Sequence, residues 1–351
     1  MSGYRRNLMG AEASKPKGPK YLIFEPLVDD FSFEFPYDLY YSTDGVDWLL
    51  LESATESPYF SKDERIYLKA ELVPEPGYGI GSFSIYGKCN LSGNCMSLLY
   101  GDNAEGKTTA PDSAFSYLFE DCSTIIDASS LLLPATILED GCYEYMFTGC
   151  SGLIFAPKIH ATILARGCCH MMFYGCTNLI NAPVLLATTL VDDCYSNMFF
   201  DCTKLNYIKM LATDISARRC LGYWVYNVAS RGTFVKNKDA TWDVVGESGV
   251  PVDWTVVNAV TMNTNSLIEF TIINTIDSTT TKYKAEEGMT WEEWCELEYN
   301  IGRYKVIDGT ICINKTAGSL KENNGVTKVK PSDIIQENVI YYYNDSGTEP
   351  A

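Results

Sequence analysis

Three groups of residues in this chain could do chemistry. The first is Gly101–Thr108, G-D-N-A-E-G-K-T, which satisfies the pattern G-x-x-x-x-G-K-[ST]. In such loops the backbone N–H groups and the lysine, here Lys107, cradle phosphates at the start of a helix. An apolar run, Met96–Tyr100, precedes it as that use would need. Asp102 and Glu105 oppose it by placing negative charge inside the loop, and Pro111 interrupts the helix that should begin at Thr108. The nearest candidate for a metal-binding aspartate, Asp127 after Ile125-Ile126, falls in register with Asn181 of a repeat and is explained by it. The stretch therefore reads as a polar loop, with a P-loop nucleotide-binding enzyme as the alternative it leaves.

The second group is Cys168, Cys169 and His170. Adjacent side chains point apart and no C-x-x-C pair exists, so a metal site is a poor fit. The third is the pair of histidines, His160 and His170, which sit ten residues apart at different repeat positions. Nothing in their spacing asks for a nucleophile–histidine–carboxylate arrangement. Asp and Glu are plentiful but form no recurring pair on one predicted face, and they read as solvated surface charge. The expectation is a non-enzymatic chain with no catalytic residue, no metal and no cofactor.

What does recur is cysteine. Cys150, Cys176 and Cys202 are 26 residues apart, as are Cys142, Cys168, Cys194 and Cys220. Met146, Met172, Met198 and Trp224 keep the same step, and so do Phe147, Phe173, Phe199 and Val225. One unit, C-Y-x-x-M-F-x-x-C-[ST]-x-L-x-x-A-P-x-L-x-A-T-x-L, fits three full copies. A partial copy begins at Phe119–Cys122 and carries two extra residues around Ser129–Leu133, so Cys122 to Cys150 spans 28. Self-similarity at this period is the mark of a solenoid whose units stack their apolar sides.

Within a unit, Cys142 and Met146 stand i and i+4, which predicts a short helix over Cys142–Cys150 with Phe147 beside Met146. Gly149 and Gly175, with Asp201 as the poorer third, are placed to adopt a left-handed C-terminal conformation. Leu153, Ala156 and Pro157 then predict a short extended segment that stops at the proline. Nine of the thirteen cysteines lie in these repeats, two precede them (Cys89, Cys95) and two follow (Cys295, Cys312). Stacked coils sit about 4.8 Å apart, so disulfides between them are geometrically open. Reduced, buried ladders of small apolar thiols are the expectation for a protein made in a cytoplasm.

The stretch F-x-x-C-[ST]-x-L-x-x-A-P-x-L-x-A-T resembles the BspA-like leucine-rich repeats of bacterial and phage surface proteins, over Phe119–Trp224. The resemblance implies a right-handed solenoid used for adhesion or display, with no catalytic residues to carry over. The chain departs from the pattern at Cys169–His170 and at Leu221–Gly222, as repeat drift and a terminal cap.

The elements around the array complete an α+β multidomain expectation. Residues 1–20 form a basic arm, with Arg5, Arg6, Lys15, Lys17 and Lys20 against Glu12 and no apolar signal region. The arm is either a solvated tail or a segment that orders on an acidic partner. Its opening M-S-G-Y-R-R resembles leaders of structural proteins of crAss-like gut phages. Residues 21–88 predict an all-β, sandwich-like domain with strands at Tyr21–Glu25, Phe31–Phe35, Leu39–Ser42, Trp48–Leu51, Arg65–Leu72 and Ser82–Tyr86, and a hairpin turn at Asp44-Gly45. Pro74–Gly81 is a loop. Residues 89–258 hold the solenoid with its caps, closed by Gly232–Val235 and Trp254–Val257. Residues 259–351 predict a small α+β domain with strands at Leu267–Ile273, Lys282–Ala285, Ile311–Ile313 and Val339–Tyr343 and a helix opening at Thr290–Glu293. Its phrase Tyr283–Trp294 resembles a module of the same phage proteins.

A net charge of −18, from 27 basic and 45 acidic residues, argues against nucleic-acid binding. No apolar run approaches 18 residues, so no transmembrane helix is expected. The function expected is a virion structural protein: a head or tail fibre, an appendage, or a capsid decoration. It would be assembled in the host cytoplasm, homo-oligomeric as dimer or trimer, and joined to other virion proteins through the arm. A bacterial cell-surface adhesin is the alternative. Its ligand would be a host-surface glycan or protein, met by outward rings at Tyr143, Tyr145, Tyr174, Tyr195 and Phe200. The competing role for those rings is to cover neighbouring coils.

Overall fold

The computed structural model describes residues 20–259 and, beyond them, six backbone strands between 267 and 343. The chain is mostly β. Among the described residues, helix is confined to the single turn α1 (Ser97–Tyr100) and the 3-10 turn Gly101–Asn103. The expected balance of helix and strand is thus corrected to a β-solenoid of about six turns with flanking strands.

The expected N-terminal strands form close to where the alternation placed them. They are β1 (Leu22–Pro26), β2 (Ser32–Glu34), β3 (Leu39–Ser42), β4 (Leu49–Leu51), β5 (Ile66–Lys69) and β6 (Ser84–Tyr86). β3 and β4 pair antiparallel around Asp44-Gly45, where Asp44 Oδ1 accepts from the amides of Val46 and Asp47 and Gly45 takes φ +74°. β2 and β6 make a separate ribbon. The other four run on into the first coils. With β7 (Cys89–Asn94), β9 (Ile125–Leu133) and β11 (Lys158–Ile159), they make one seven-stranded sheet in the order β11-β9-β7-β1-β5-β3-β4. The β1–β7 pair is antiparallel, and from β7 onward the pairing is parallel, as successive coils require. Gly93 sits where β7 passes the Tyr21 carbonyl so closely that a Cβ would strike it.

The two extra residues of the first repeat are absorbed in β9. Its register against β7 steps from Cys89↔Ile125 to Asn90↔Asp127 and then to Ser92↔Ser130, one surplus residue at each step. These are bulges, the usual way a strand accommodates an insertion without losing its partner. On the next face, β8 (Thr109–Ala110) and β10 (Ile137–Leu138) pair in parallel, and single bridges continue the row at Ile137↔Ile163 and Thr189↔Asp214. The extended segment after Leu153 bridges at Phe155, is interrupted at Pro157 and resumes at Lys158. The proline stops the ladder for lack of an N–H, but only locally.

The third face overturns the helix expected over Cys142–Cys150. The amides of Glu144, Met146, Thr148 and Cys150 close turns onto carbonyls three residues back, and the alternate amides leave the coil. Tyr143, Tyr145, Phe147 and Gly149 donate to Cys168, His170, Met172 and Tyr174 of the next coil at 2.8–3.0 Å. The same alternation joins Cys169, Met171, Phe173 and Gly175 to the coil after that. Every fourth residue is left-handed: Gly141, Tyr145 and Gly149, then Gly167, Met171 and Gly175, then Asp193, Asn197 and Asp201. A four-residue turn repeat places Cys142 over Met146 as well as a helix does. A helix would use its amides inside its own coil, whereas this row divides them between its own turns and the neighbouring coil, leaving no donor unpaired.

Inside, Phe83, Phe119, Phe147, Phe173 and Phe199 form a buried column with successive ring centroids 5.6, 5.3, 5.6 and 5.8 Å apart. Trp224 ends it, tilted on Phe199 at 6.0 Å. Beyond Trp224 the segment around Gly246–Val250 covers the last coil. Gly249 accepts from the Trp224 indole at 2.9 Å, and the Glu247 carbonyl accepts from Val225 at 3.2 Å. β12 (Tyr207–Met210) lies on the last sheet-face rung, where Tyr207 bridges Asn181. Near it, β13 (Thr233–Lys236) begins with the Thr233 amide on the Asn206 carbonyl. β14 (Thr255–Asn258) begins with the Thr255 amide on Gly232.

The chain divides into two compact units, one running through Phe234 with Asp239–Val256, the other Val235–Lys238 with Val257–Ala351. In the second, β15 (Leu267–Asn274) pairs antiparallel with β16 (Thr280–Glu286) and parallel with β20 (Ile340–Tyr343). A separate antiparallel sheet holds β17 (Tyr304–Ile307), β18 (Thr310–Ile313) and β19 (Gly318–Ser319). The helix expected at Thr290–Glu293 and its tryptophans lie outside the described residues.

Candidate functional site

The loop Gly101–Thr108 is not followed by a helix. The chain goes instead into β8, and Lys107 lies over the Tyr100 ring at 4.7 Å from its centroid. Asp102 is tied into a cluster of its own, accepting from the Tyr21 hydroxyl at 2.6 Å, Lys20 at 2.9 Å and Lys69 at 3.0 Å. Those three donors hold its carboxyl well below the usual carboxylate range, Tyr21 contributing most. Lys20, expected in the basic arm, is thereby fixed to the folded body. Arg5, Arg6, Lys15 and Lys17 lie outside the described residues.

All eleven described cysteines are free and buried. Cys150, Cys176 and Cys202 each donate to the carbonyl of the phenylalanine one coil back, Phe119, Phe147 and Phe173, at 3.0–3.1 Å. Burial, with the charge of Asp121 behind it, pushes the Cys122 thiol up to about 12. Among the described residues no cluster of His, Cys, Asp or Glu could hold a metal, the run Cys168–His170 included.

The expected outward row of rings is only partly outward. Tyr143 and Tyr195 are fully buried, which corrects their place on a ligand face. They share a coil position with Phe115 and Cys169, and Tyr143 stacks on Phe115 at 5.9 Å. The reason is the turn repeat: the residue after the first cysteine points inward along with it. Tyr145, Tyr174 and Phe200 are half-buried on the outer face. Tyr145 stacks on Tyr117 at 4.7 Å, and Tyr174, Phe200 and Tyr226 form a second stack at 4.8 and 4.4 Å. Tyr117, Tyr223 and Tyr226 belong to these rows and were not singled out in the sequence, although the 26- and 28-residue steps reach all three.

Beside the Tyr117–Tyr145 stack runs a groove of about 370 Å³ that crosses five successive coils. Its floor is the first left-handed position of each coil: Ser113, Gly141, Gly167, Asp193 and Arg219. Two glycines at the middle rungs leave the floor open. A Cβ on Gly167 would meet nothing nearer than the His170 Cβ at 4.0 Å. The walls are polar. Glu144 Oε1 accepts from His170 Nδ1 at 2.8 Å, Asp193 Oδ1 from Arg219 Nε at 2.8 Å, and Asp140 Oδ1 from the Arg166 amide at 3.0 Å. Tyr145 meets the His170 ring edge-on at 5.4 Å, so the aromatic stack lies behind the groove's His170 side. Burial raises the Tyr117 phenol above its ordinary value, and the Glu144 carboxylate adds to it.

This groove was missed because its acidic residues read as scattered surface charge. The signal was periodic all the same. Asp112, Asp140, Arg166, Asp192 and Arg218 occupy one position in successive coils, just before the left-handed residue. Comparison with protein-family models, with curated proteins and with solved structures gives no match for this chain.

Proposed function

We propose that the chain is a non-catalytic display and adhesion subunit of a virion, whether fibre, appendage or capsid decoration. Its repeat array is of the BspA-like leucine-rich class. The basic arm joins it to other virion proteins, and the outer turn face meets a host-surface glycan or protein. The observation that carries this is the pair of aromatic stacks on that face, Tyr117–Tyr145 and Tyr174–Phe200–Tyr226. Each ring is held on a backbone hydrogen-bonded to a neighbouring coil, so a partner meets large amphipathic surfaces already fixed in place. The burial of Leu153, Leu179 and Leu205, with Leu133, Ile159 and Leu185, supports that reading of the repeat.

The test is binding of fluorescently labelled protein to a panel of bacterial cells by flow cytometry. Wild type is expected to label at least one strain. The Tyr145→Ser, Tyr174→Ser, Phe200→Ser, Tyr226→Ser variant should lose at least tenfold in that signal. A wild type that labels no strain, or a variant that folds and labels as well as wild type, overturns the proposal.

A further inference from the structure

We infer that the groove across the Ser113–Gly141–Gly167–Asp193–Arg219 row is a carbohydrate site that takes a neutral oligosaccharide lying along the solenoid axis. This deepens the display function by naming the ligand class and its seat, and it rests on that function. Shape comes first: the two floor glycines open a trough that crosses five successive coils. With coils about 4.8 Å apart, a trough across five of them takes several sugar residues in line.

Chemistry decides the class. No apolar side chain lines the trough, so it offers no seat for the side-chain anchors of a peptide. Asp112, Asp140, Glu144 and Asp193 outnumber Arg166 and Arg219, which disfavours an anionic polymer. No described carboxylate cluster suits a metal. Hydroxyl groups suit what is there, because they donate to carboxylates and accept from Arg166. One oxygen of Glu144 is engaged by His170, and the other, Oε2, turns to the space above Gly141, 3.2 Å from where its Cβ would be. Asp140, also on the groove's lining, is held through Oδ1 by the Arg166 amide at 3.0 Å. Groups fixed before binding lose little freedom on it. Tyr145 packs edge-on against His170 and so backs the side chain that holds Glu144.

The experiment is a printed array of neutral, acidic and amine-bearing oligosaccharides, followed by calorimetry with the neutral glycan that gives the strongest signal. Binding of at least one neutral glycan is expected. Asp140→Asn and Glu144→Gln, which keep the existing acceptors, should each weaken it at least fivefold, with melting temperatures unchanged. An array with no neutral glycan bound, binding confined to acidic glycans, or affinities unmoved by both variants overturns the site. Cell labelling separates the two failures. If cells are labelled while the array stays silent, display stands and the groove falls. If neither binds, both fall.

Discussion

The cysteines show how much of the repeat is decided side chain by side chain. Each of Cys150, Cys176 and Cys202 fills a fully buried position and gives its S–H to a carbonyl one coil back. Serine there would exchange a weak donor for a more strongly hydrated one. The spacing of the cysteines announced the ladder, but the carbonyl partner depends on coil geometry and was not legible. Burial raises all three thiols above their ordinary value and takes Cys122 to about 12. A raised folded pKa means stability that is whole below the unfolded value, near 9, and lost as pH climbs toward the folded one. Each such thiol costs about 1.4 kcal/mol per pH unit in that window. Urea unfolding should therefore show a steep loss of stability between pH 9 and 10.5, and thiol reagents should label the eleven described cysteines of the native protein only through unfolding. A flat profile across that window would contradict thiol burial.

At the scale of the element, the array and its period were legible, and the conformation of its outer side was not. Apolar pairs four residues apart fit both a helix and a four-residue turn repeat, and nine residues are too few to separate a period of 3.6 from one of 4. The feature that decides is the left-handed residue at the middle of each row. There Tyr145, Met171, Asn197 and Tyr223 stand, none of them glycine, so no residue type marks it. The flanking glycines did mark their positions. Gly149 and Gly175 both have φ above +70°, but a Cβ on Gly149 would collide with the Asp121 carboxylate while Gly175 has nothing within 3.8 Å. Gly175→Ala should cost about 1–2 kcal/mol, the left-handed penalty alone. Gly149→Ala should cost more in the same denaturant titration. Equal losses would mean the turn row is not built as described.

Across the whole molecule, the phenylalanine column joins the N-terminal strands to the coils, from Phe83 through Phe199 to Trp224. Sequence periodicity aligned Phe147, Phe173 and Phe199 and put Val225 next in the row, whereas the column ends on Trp224. Phe83 lies outside the repeat, so its place at the head of the column depends on how the chain returns. Each of Phe119→Ala, Phe147→Ala, Phe173→Ala and Phe199→Ala should cost about 3–5 kcal/mol. In a stack of nearest-neighbour contacts, the Phe147 and Phe173 losses should be coupled, with rings 5.6 Å apart, and the Phe119 and Phe199 losses should add. Double-mutant cycles by urea unfolding measure both. Display, groove and column alike depend on the outer face being wired from coil to coil. Residue-resolved amide exchange tests that wiring directly. The amides of Tyr143, Tyr145, Phe147 and Gly149 are predicted to exchange as slowly as those of Cys169, Met171, Phe173 and Gly175, all through one shared unfolding event. Fast exchange at these amides, or separate opening of residues 141–150 as an autonomous segment, would contradict it.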